Sequence, residues 1–238
     1  MKFRKEDERY LSQRKQISQA SGPRELWSIA DHWPLYVGIR NLARYIAISD
    51  LLRSTLGVPG HIAEFGSWRG ANLMFMTKLL KIHDPLSNKV VHCFDSFEGL
   101  STFTPEDGSA EVMHGAYKGT LEELQEYMEL YDLEDDIVIH KGLIQDTLPA
   151  ALQADSGLSF SFVYCDTDLF EPTKLILELL HERLSKGGIF VMDEWNFEQW
   201  PGETIAVRNF LQEYDRCYET VHVSRTTQPS LVLRKIAY

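Results

Sequence analysis

Two hydrophobic rhythms alternate along this chain. Short, nearly continuous apolar runs are separated by stretches in which apolar residues return every three or four positions. The short runs are Ile62–Glu64, Lys89–Ser96, Asp136–His140, Leu158–Asp166, Ile189–Met192, Thr220–Ser224 and Ser230–Arg234. The fourth, with Phe160, Phe162, Val163 and Tyr164, has the composition of a strand buried on both faces, as in parallel sheets. Helical periodicity covers Leu35–Leu56, Ala71–Leu80, Leu121–Tyr131, Pro172–Leu184 and Thr204–Tyr214. Gly57-Val58-Pro59-Gly60 stops the first of these, and Lys186-Gly187-Gly188 is read as a turn into the fifth strand. The last two runs flank Thr226-Thr227-Gln228-Pro229 and predict an antiparallel hairpin at the sheet edge. The pattern predicts an α/β fold: a doubly wound, mostly parallel, seven-stranded sheet with a helical extension before it. Residues 31–238 are read as one domain, preceded by a polar, charge-mixed arm at 1–30.

In such sheets ligands sit outside the carboxyl ends of the strands. The first strand ends Ala63-Glu64-Phe65-Gly66-Ser67-Trp68-Arg69-Gly70 and leads into a helix. A glycine there lets backbone approach a ligand closely. The spacing is not Gly-x-Gly-x-x-Gly, so a pyrophosphate site is not the first choice. A strand-end carboxylate suits a ligand bearing a cation, such as the amino group of S-adenosylmethionine. The second strand ends in Asp95-Ser96, one βα unit later, where an acid suits ribose hydroxyls. Residues 97–118 form a long segment of the kind that serves as a lid, and His114 lies in it. A histidine so placed can take a proton from an alcohol near neutral pH.

Acids also end the fourth and fifth strands, as Asp166 and Asp168 and as Asp193 and Glu194. Neighbouring strands lie about 4.8 Å apart, so these carboxylates converge if the two strands pair. Such a cluster resolves its repulsion by raised pKa values or by a hard cation, and oxygen-only donors favour Mg²⁺ over zinc. Trp195 and Trp200 follow, suited either to stacking on a ring or to packing against the sheet.

Composition narrows the field. A net charge of −11 on 238 residues argues against a nucleic-acid polyanion as partner. Cys93, Cys165 and Cys217 show neither metal spacing nor a disulfide framework, which fits a reducing, cytoplasmic setting, and the first two are expected in the core. No apolar run is long enough to span a membrane, and the N-terminus has no apolar signal region.

Several motifs taken together resemble the macrocin O-methyltransferase family. They are Val58-Pro59-Gly60-His61-Ile62-Ala63-Glu64-Phe65-Gly66-Ser67-Trp68-Arg69-Gly70, Phe94-Asp95-Ser96-Phe97-Glu98-Gly99-Leu100, Gly142 with Asp146-Thr147-Leu148-Pro149, Asp166-Thr167-Asp168-Leu169-Phe170-Glu171, and Trp200-Pro201-Gly202. The resemblance runs from about Leu35 to about Phe210. It implies a class I, Rossmann-like fold that uses S-adenosylmethionine and Mg²⁺ to methylate sugar hydroxyls. It implies that Glu64, Gly66, Ser67 and Trp68 line the methionine end, that Asp95 and Ser96 hold the ribose, and that Ile144 and Gln145 border the adenine. Asp166, Asp193 and Glu194 become the metal ligands and His114 the general base. Glu194 stands where the family usually has Asp, and Phe170 where it usually has Tyr.

The expected activity is therefore O-methylation of a small-molecule hydroxyl, most naturally on a sugar of a glycosylated natural product. Two alternatives remain open at this stage: a catechol-like diol acceptor, or a non-catalytic S-adenosylmethionine-binding protein. A homo-oligomer, dimer or larger, is expected.

Overall fold

Seven strands form one sheet in the computed structural model, which describes residues 23–238 together with 12, 13, 15–17 and 19. Most of the expected arm at 1–30 lies outside the described residues. The strands are β1 (His61–Phe65), β2 (Val91–Asp95), β3 (Ile137–Lys141), β4 (Phe160–Cys165), β5 (Leu184–Met192), β6 (Tyr218–His222) and β7 (Leu231–Lys235). Their order is β3-β2-β1-β4-β5-β7-β6. The first five pair in parallel, and β7 runs antiparallel to both β5 and β6. The C-terminal hairpin thus forms, with β7 inserted between β5 and an outer β6.

From residue 23 onward the helices are α1 (Leu26–Asp31), α2 (Trp33–Tyr36), α3 (Ile39–Arg53), α4 (Ala71–His83), α5 (Leu121–Leu130), α6 (Ile144–Ala154), α7 (Phe170–Leu180) and α8 (Pro201–Tyr214). Parity along the strands divides the core. Ala63, Phe65, Phe94, Val163, Phe190 and Leu233 bury one face beneath α6, α7 and α8, while Ile62, Cys93, Phe162, Tyr164, Val191 and Val232 bury the other beneath α3, α4 and α5. Every residue of β4 is buried, as its apolar run predicts. Cys93 and Cys165 are free and buried in the two core layers.

Three local expectations differ. Residues 144–154, read from the sequence only as a motif, form α6, whose Pro149 lies within the helix. Lys186-Gly187-Gly188 falls within the bounds of β5 but in an irregular stretch, where Leu184 pairs with Phe160 and Ile189 with Phe162 and Gly187 has φ 89°; α7 stops at Leu180, not Leu184. Glycine is required at 188, where a Cβ would stand 2.8 Å from the Ser185 carbonyl oxygen and 2.9 Å from that of Ser161. The segment 97–118 holds two short 3₁₀ turns, Pro105–Asp107 and Ala110–Met113, and is anchored by a buried acid. Asp107 accepts hydrogen bonds from the backbone N–H of Thr104 at 2.8 Å and of Phe170, at the start of α7, at 2.7 Å. A Cβ on Gly202 would lie 2.0 Å from the Asp107 carboxylate, so the Trp200-Pro201-Gly202 motif makes room for this anchor. No helix among the described residues is long and apolar enough to cross a membrane.

Candidate active site

A cleft of about 810 Å³ opens beyond the carboxyl ends of β1, β2, β4 and β5. Glu64 reaches it from β1 and is 1 % exposed. Burial pushes the Glu64 carboxyl up to about 8, against the lowering influence of the Ser67 side chain, with the Asp166 charge adding to the rise. Its Oε2 is buried without a hydrogen-bond partner. An orphaned acid oxygen on a cleft wall is costly unless a donor arrives, which is the environment expected for a ligand ammonium. Gly66 follows at φ 82°, and a Cβ there would sit 1.9 Å from the Asp166 carbonyl oxygen. Glycine at this place therefore lets the β1 and β4 termini close on one another.

Asp95 ties two loops together. Its Oδ2 accepts the N–H groups of Ser67 at 2.6 Å and Trp68 at 2.8 Å, and its Oδ1 accepts that of Phe97 at 2.6 Å. Burial raises its pKa and these three N–H groups pull it back. Oδ2 has both lone pairs engaged, and Oδ1 keeps one for a ribose hydroxyl. Ser96, Leu143, Ile144 and Gln145 line the same cleft, and the Gln145 amide donates to Thr102 Oγ1 at 3.2 Å. The eight residues expected around the cofactor, Glu64, Gly66, Ser67, Trp68, Asp95, Ser96, Ile144 and Gln145, thus all reach one cavity.

The acid cluster forms at the ends of β4 and β5, which pair through Cys165 and Met192. Asp166, Asp168 and Glu194 each bring a carboxylate oxygen within 4.8 Å of the others. Asp168 holds φ 62°, a left-handed backbone that turns its carboxylate into the cleft lining. Burial followed by the Asp193 charge raises Asp166 to about 7, and burial followed by Asp166 raises Asp168 to about 8. Glu194 is driven well above its ordinary value by burial and then by Asp193. Its Oε1 accepts from the Gln228 amide at 2.8 Å, while its Oε2 is buried and unpartnered.

Asp193 is placed differently from the resemblance's ligand set. It is fully buried, its Oδ1 accepts the Tyr164 hydroxyl, and its Oδ2 accepts Arg44 Nη1 at 3.1 Å. Arg44, from the middle of α3, also donates from Nη2 to Asp166 Oδ2 at 2.7 Å. The structure therefore gathers Asp168, not Asp193, with Asp166 and Glu194. His114 is exposed, its ring centroid 6.1 Å from that of Phe103, and it is not among the residues lining the cleft. Tyr117 from the same segment does line it, between Trp68 at 5.7 Å and Trp200 at 6.3 Å between ring centroids. Trp200 is buried in a small apolar cluster with Ala110 and Leu169, and Trp195 packs against the main core.

Sequence reasoning missed Arg44 and Glu203. Arg44 lies within an apolar helical pattern and offers no signal of its facing the cluster. Glu203 is fully buried at the start of α8, and its Oε1 accepts the Glu194 N–H at 2.8 Å. An acid two residues after Pro201 was the available hint, since acids favour a first helical turn.

The sheet order, the antiparallel seventh strand and the acid-ended β1 and β2 around one cleft define a class I methyltransferase. The sequence profile of the macrocin O-methyltransferase (TylF) family matches residues 18–223, and this chain belongs to that family. It is 34 % identical over 146 residues to the 8-demethyl-8-(2,3-dimethoxy-α-L-rhamnosyl)-tetracenomycin-C 4′-O-methyltransferase of Streptomyces olivaceus, a match covering 58 % of this chain and 54 % of that protein. It is 29 % identical over 207 residues to the demethyldecarbamoylnovobiocin O-methyltransferase of Streptomyces niveus, covering 81 % of this chain and 75 % of that one. Among solved structures it resembles the calicheamicin methyltransferase CalS11, with a TM-score of 0.83 and 26 % identity over 96 % of this chain and 92 % of the other.

Proposed function

We propose that this chain is an S-adenosylmethionine-dependent O-methyltransferase that methylates a sugar hydroxyl of a small molecule with the help of Mg²⁺. The observation that carries the reading is the shared cleft, where a nucleoside-type binding wall (Glu64, Ser67, Asp95, Ser96) faces three clustered carboxylates. The sugar acceptor is supported by relatives whose names specify rhamnosyl tetracenomycin and, for CalS11, TDP-rhamnose. The donor set suits Mg²⁺: it is oxygen-only, and Glu194 Oε2 is buried without a partner. Asp166 and Glu194 would hold the ion, and the Asp168 carboxylate beside them is left free of it. When bound, Mg²⁺ supplies a Lewis acid that lowers the pKa of a coordinated hydroxyl.

The chain's own residues do the rest. Glu64 binds the ammonium of the methyl donor, and the Asp95 loop holds its ribose. Tyr117 and Trp200 wall the acceptor side against water. Asp168, already in the cleft lining, receives the acceptor's proton at its carboxylate. His114 would serve as base only if the segment 97–118 carried it inward. The test is calorimetric titration with S-adenosylmethionine and with MgCl₂, followed by turnover assays on free and nucleotide-linked deoxysugars. Turnover that is lost in Asp168→Asn and kept in His114→Ala is the expected outcome. The reverse would return the base role to His114, and absence of cofactor binding would overturn the transferase reading.

A further inference from the structure

We propose that Arg44 is a built-in counter-cation of the acid cluster and competes with a divalent cation for Asp166. The inference rests on the Mg²⁺ reading above. Its guanidinium spans the ends of two strands, with Nη2 2.7 Å from Asp166 Oδ2 and Nη1 3.1 Å from Asp193 Oδ2. It is seated over the Tyr164 ring, 5.8 Å from the centroid, while the Tyr164 hydroxyl takes the other oxygen of Asp193. Asp166 is at the same time one of the three carboxylates whose oxygens lie within 4.8 Å of one another. One carboxylate therefore answers to two cations.

The two claims on Asp166 are antagonistic. A guanidinium and a dication sharing a carboxylate repel each other at a distance of a few ångströms, in a site where water screens poorly. Arg44 is attached to α3, not to the sheet, so it can yield Asp166 without moving either strand end. Asp193, buried and also held by Tyr164, keeps its place when the guanidinium turns away. Arg44 is thus a positioning residue: it holds the acids apart from their mutual repulsion before loading, and it lowers cation affinity. It also couples loading of the cluster to α3, whose Asn41, Arg44 and Tyr45 form one wall of the cleft.

The test is calorimetric titration with MgCl₂ alone, at about pH 8.5 so that protons do not take the guanidinium's place. Arg44→Met, which keeps length and loses charge, should bind Mg²⁺ about tenfold or more tightly than the unaltered chain. Arg44→Lys, a single ammonium that cannot bridge both carboxylates, should fall between them. If Arg44→Met does not fold, the Lys variant decides alone, and affinity equal to or below that of the unaltered chain overturns the proposal. Equal or weaker binding by Arg44→Met also overturns it, as does the absence of Mg²⁺ binding in both the unaltered chain and the Met variant. A parallel titration with S-adenosylmethionine reports the transferase reading separately. Cofactor binding with no gain in Mg²⁺ affinity removes the role of Arg44 and leaves the methyltransferase standing.

Discussion

If Glu64 pairs with the cofactor's ammonium, as proposed, cofactor binding is a proton-linked event. Its carboxyl is held up to about 8 in the free cleft, chiefly by burial. Pairing with a ligand ammonium requires the carboxylate, so below that value the chain must release a proton to bind. An α-amino group titrates at about 7.7–8.0, so above that range the ligand loses the charge that Glu64 seeks. Affinity should therefore rise with nearly unit slope in log K from pH 6, peak near pH 8 and fall beyond it. At pH 6 about 1 % of Glu64 is ionised, and near pH 8 about half of each partner is in the pairing form. The gain between these points is about 20-fold, or ~1.8 kcal/mol. Glu64→Gln cannot ionise, so its rising limb should vanish, and its affinity at pH 8 should fall about tenfold or more through the lost charged hydrogen bond. Calorimetry with S-adenosylmethionine and S-adenosylhomocysteine in chelator, at half-unit pH steps, reads both effects. A flat profile in the unaltered chain, or a rising limb that survives Glu64→Gln, would refute the assignment.

Two further predictions concern stability. His92 in β2 stacks near His140 with 5.3 Å between ring centroids and 3.0 Å between Nδ1 and Nε2, and burial followed by the His140 and His61 charges holds it down to about 4. The folded chain then binds fewer protons than the unfolded one, so this contribution is present above about pH 6.5 and is lost as pH falls toward 4. Urea unfolding at pH 7.5 and 4.5 should show a loss of about 2.5 kcal/mol that His92→Phe does not share; equal losses in both proteins would contradict it. Asp107→Ala strips one buried (Phe170) and one part-buried (Thr104) backbone N–H of their acceptor and should cost about 2–3 kcal/mol in the same assay at pH 7.5, with a cost under about 1 kcal/mol showing that the anchor is not structural.

The parts of the molecule visible in the sequence are those whose signal is local. Strand runs such as Phe160–Cys165 declare themselves because burial on both faces forces continuous apolar composition. Glu64 and Asp95 declare themselves because they end such runs, and the topology then fixes where they point. α6 escaped because Gln145, Asp146, Thr147 and Pro149 weaken its apolar signal; its burial rests on Leu148 and Ala151. The partition of the four strand-end acids escaped for another reason. Whether Asp168 or Asp193 joins Asp166 depends on a left-handed backbone at residue 168 and on Arg44, 122 positions from Asp166. His114 looked functional by position in a long segment, but the anchor of that segment at Asp107 leaves Tyr117, not His114, facing the cleft.

On the proposed reading, the electrostatics of the cleft let one fold bring a charged cofactor and an acidified hydroxyl together. Glu64, Asp166, Asp168, Asp193, Glu194 and Glu203 converge on the ends of β1, β4 and β5 and the start of α8, and four of the six are 1 % exposed or less. Burial alone would neutralise such a group by protonation. Arg44 works against that at Asp166, and together with the Tyr164 hydroxyl it donates a hydrogen bond to Asp193. Glu64, Glu194 and Glu203 each keep an unpartnered oxygen, and of these Glu64 and Glu194 line the cleft. These are the two ends at which positive charge is still missing: the ammonium end of the cofactor wall and the acid end of the acceptor wall. A methyl donor that is itself cationic, lying between them, would meet negative potential on both sides. The cluster's cost in folding stability is thus the counterpart of its preorganisation for cationic ligands.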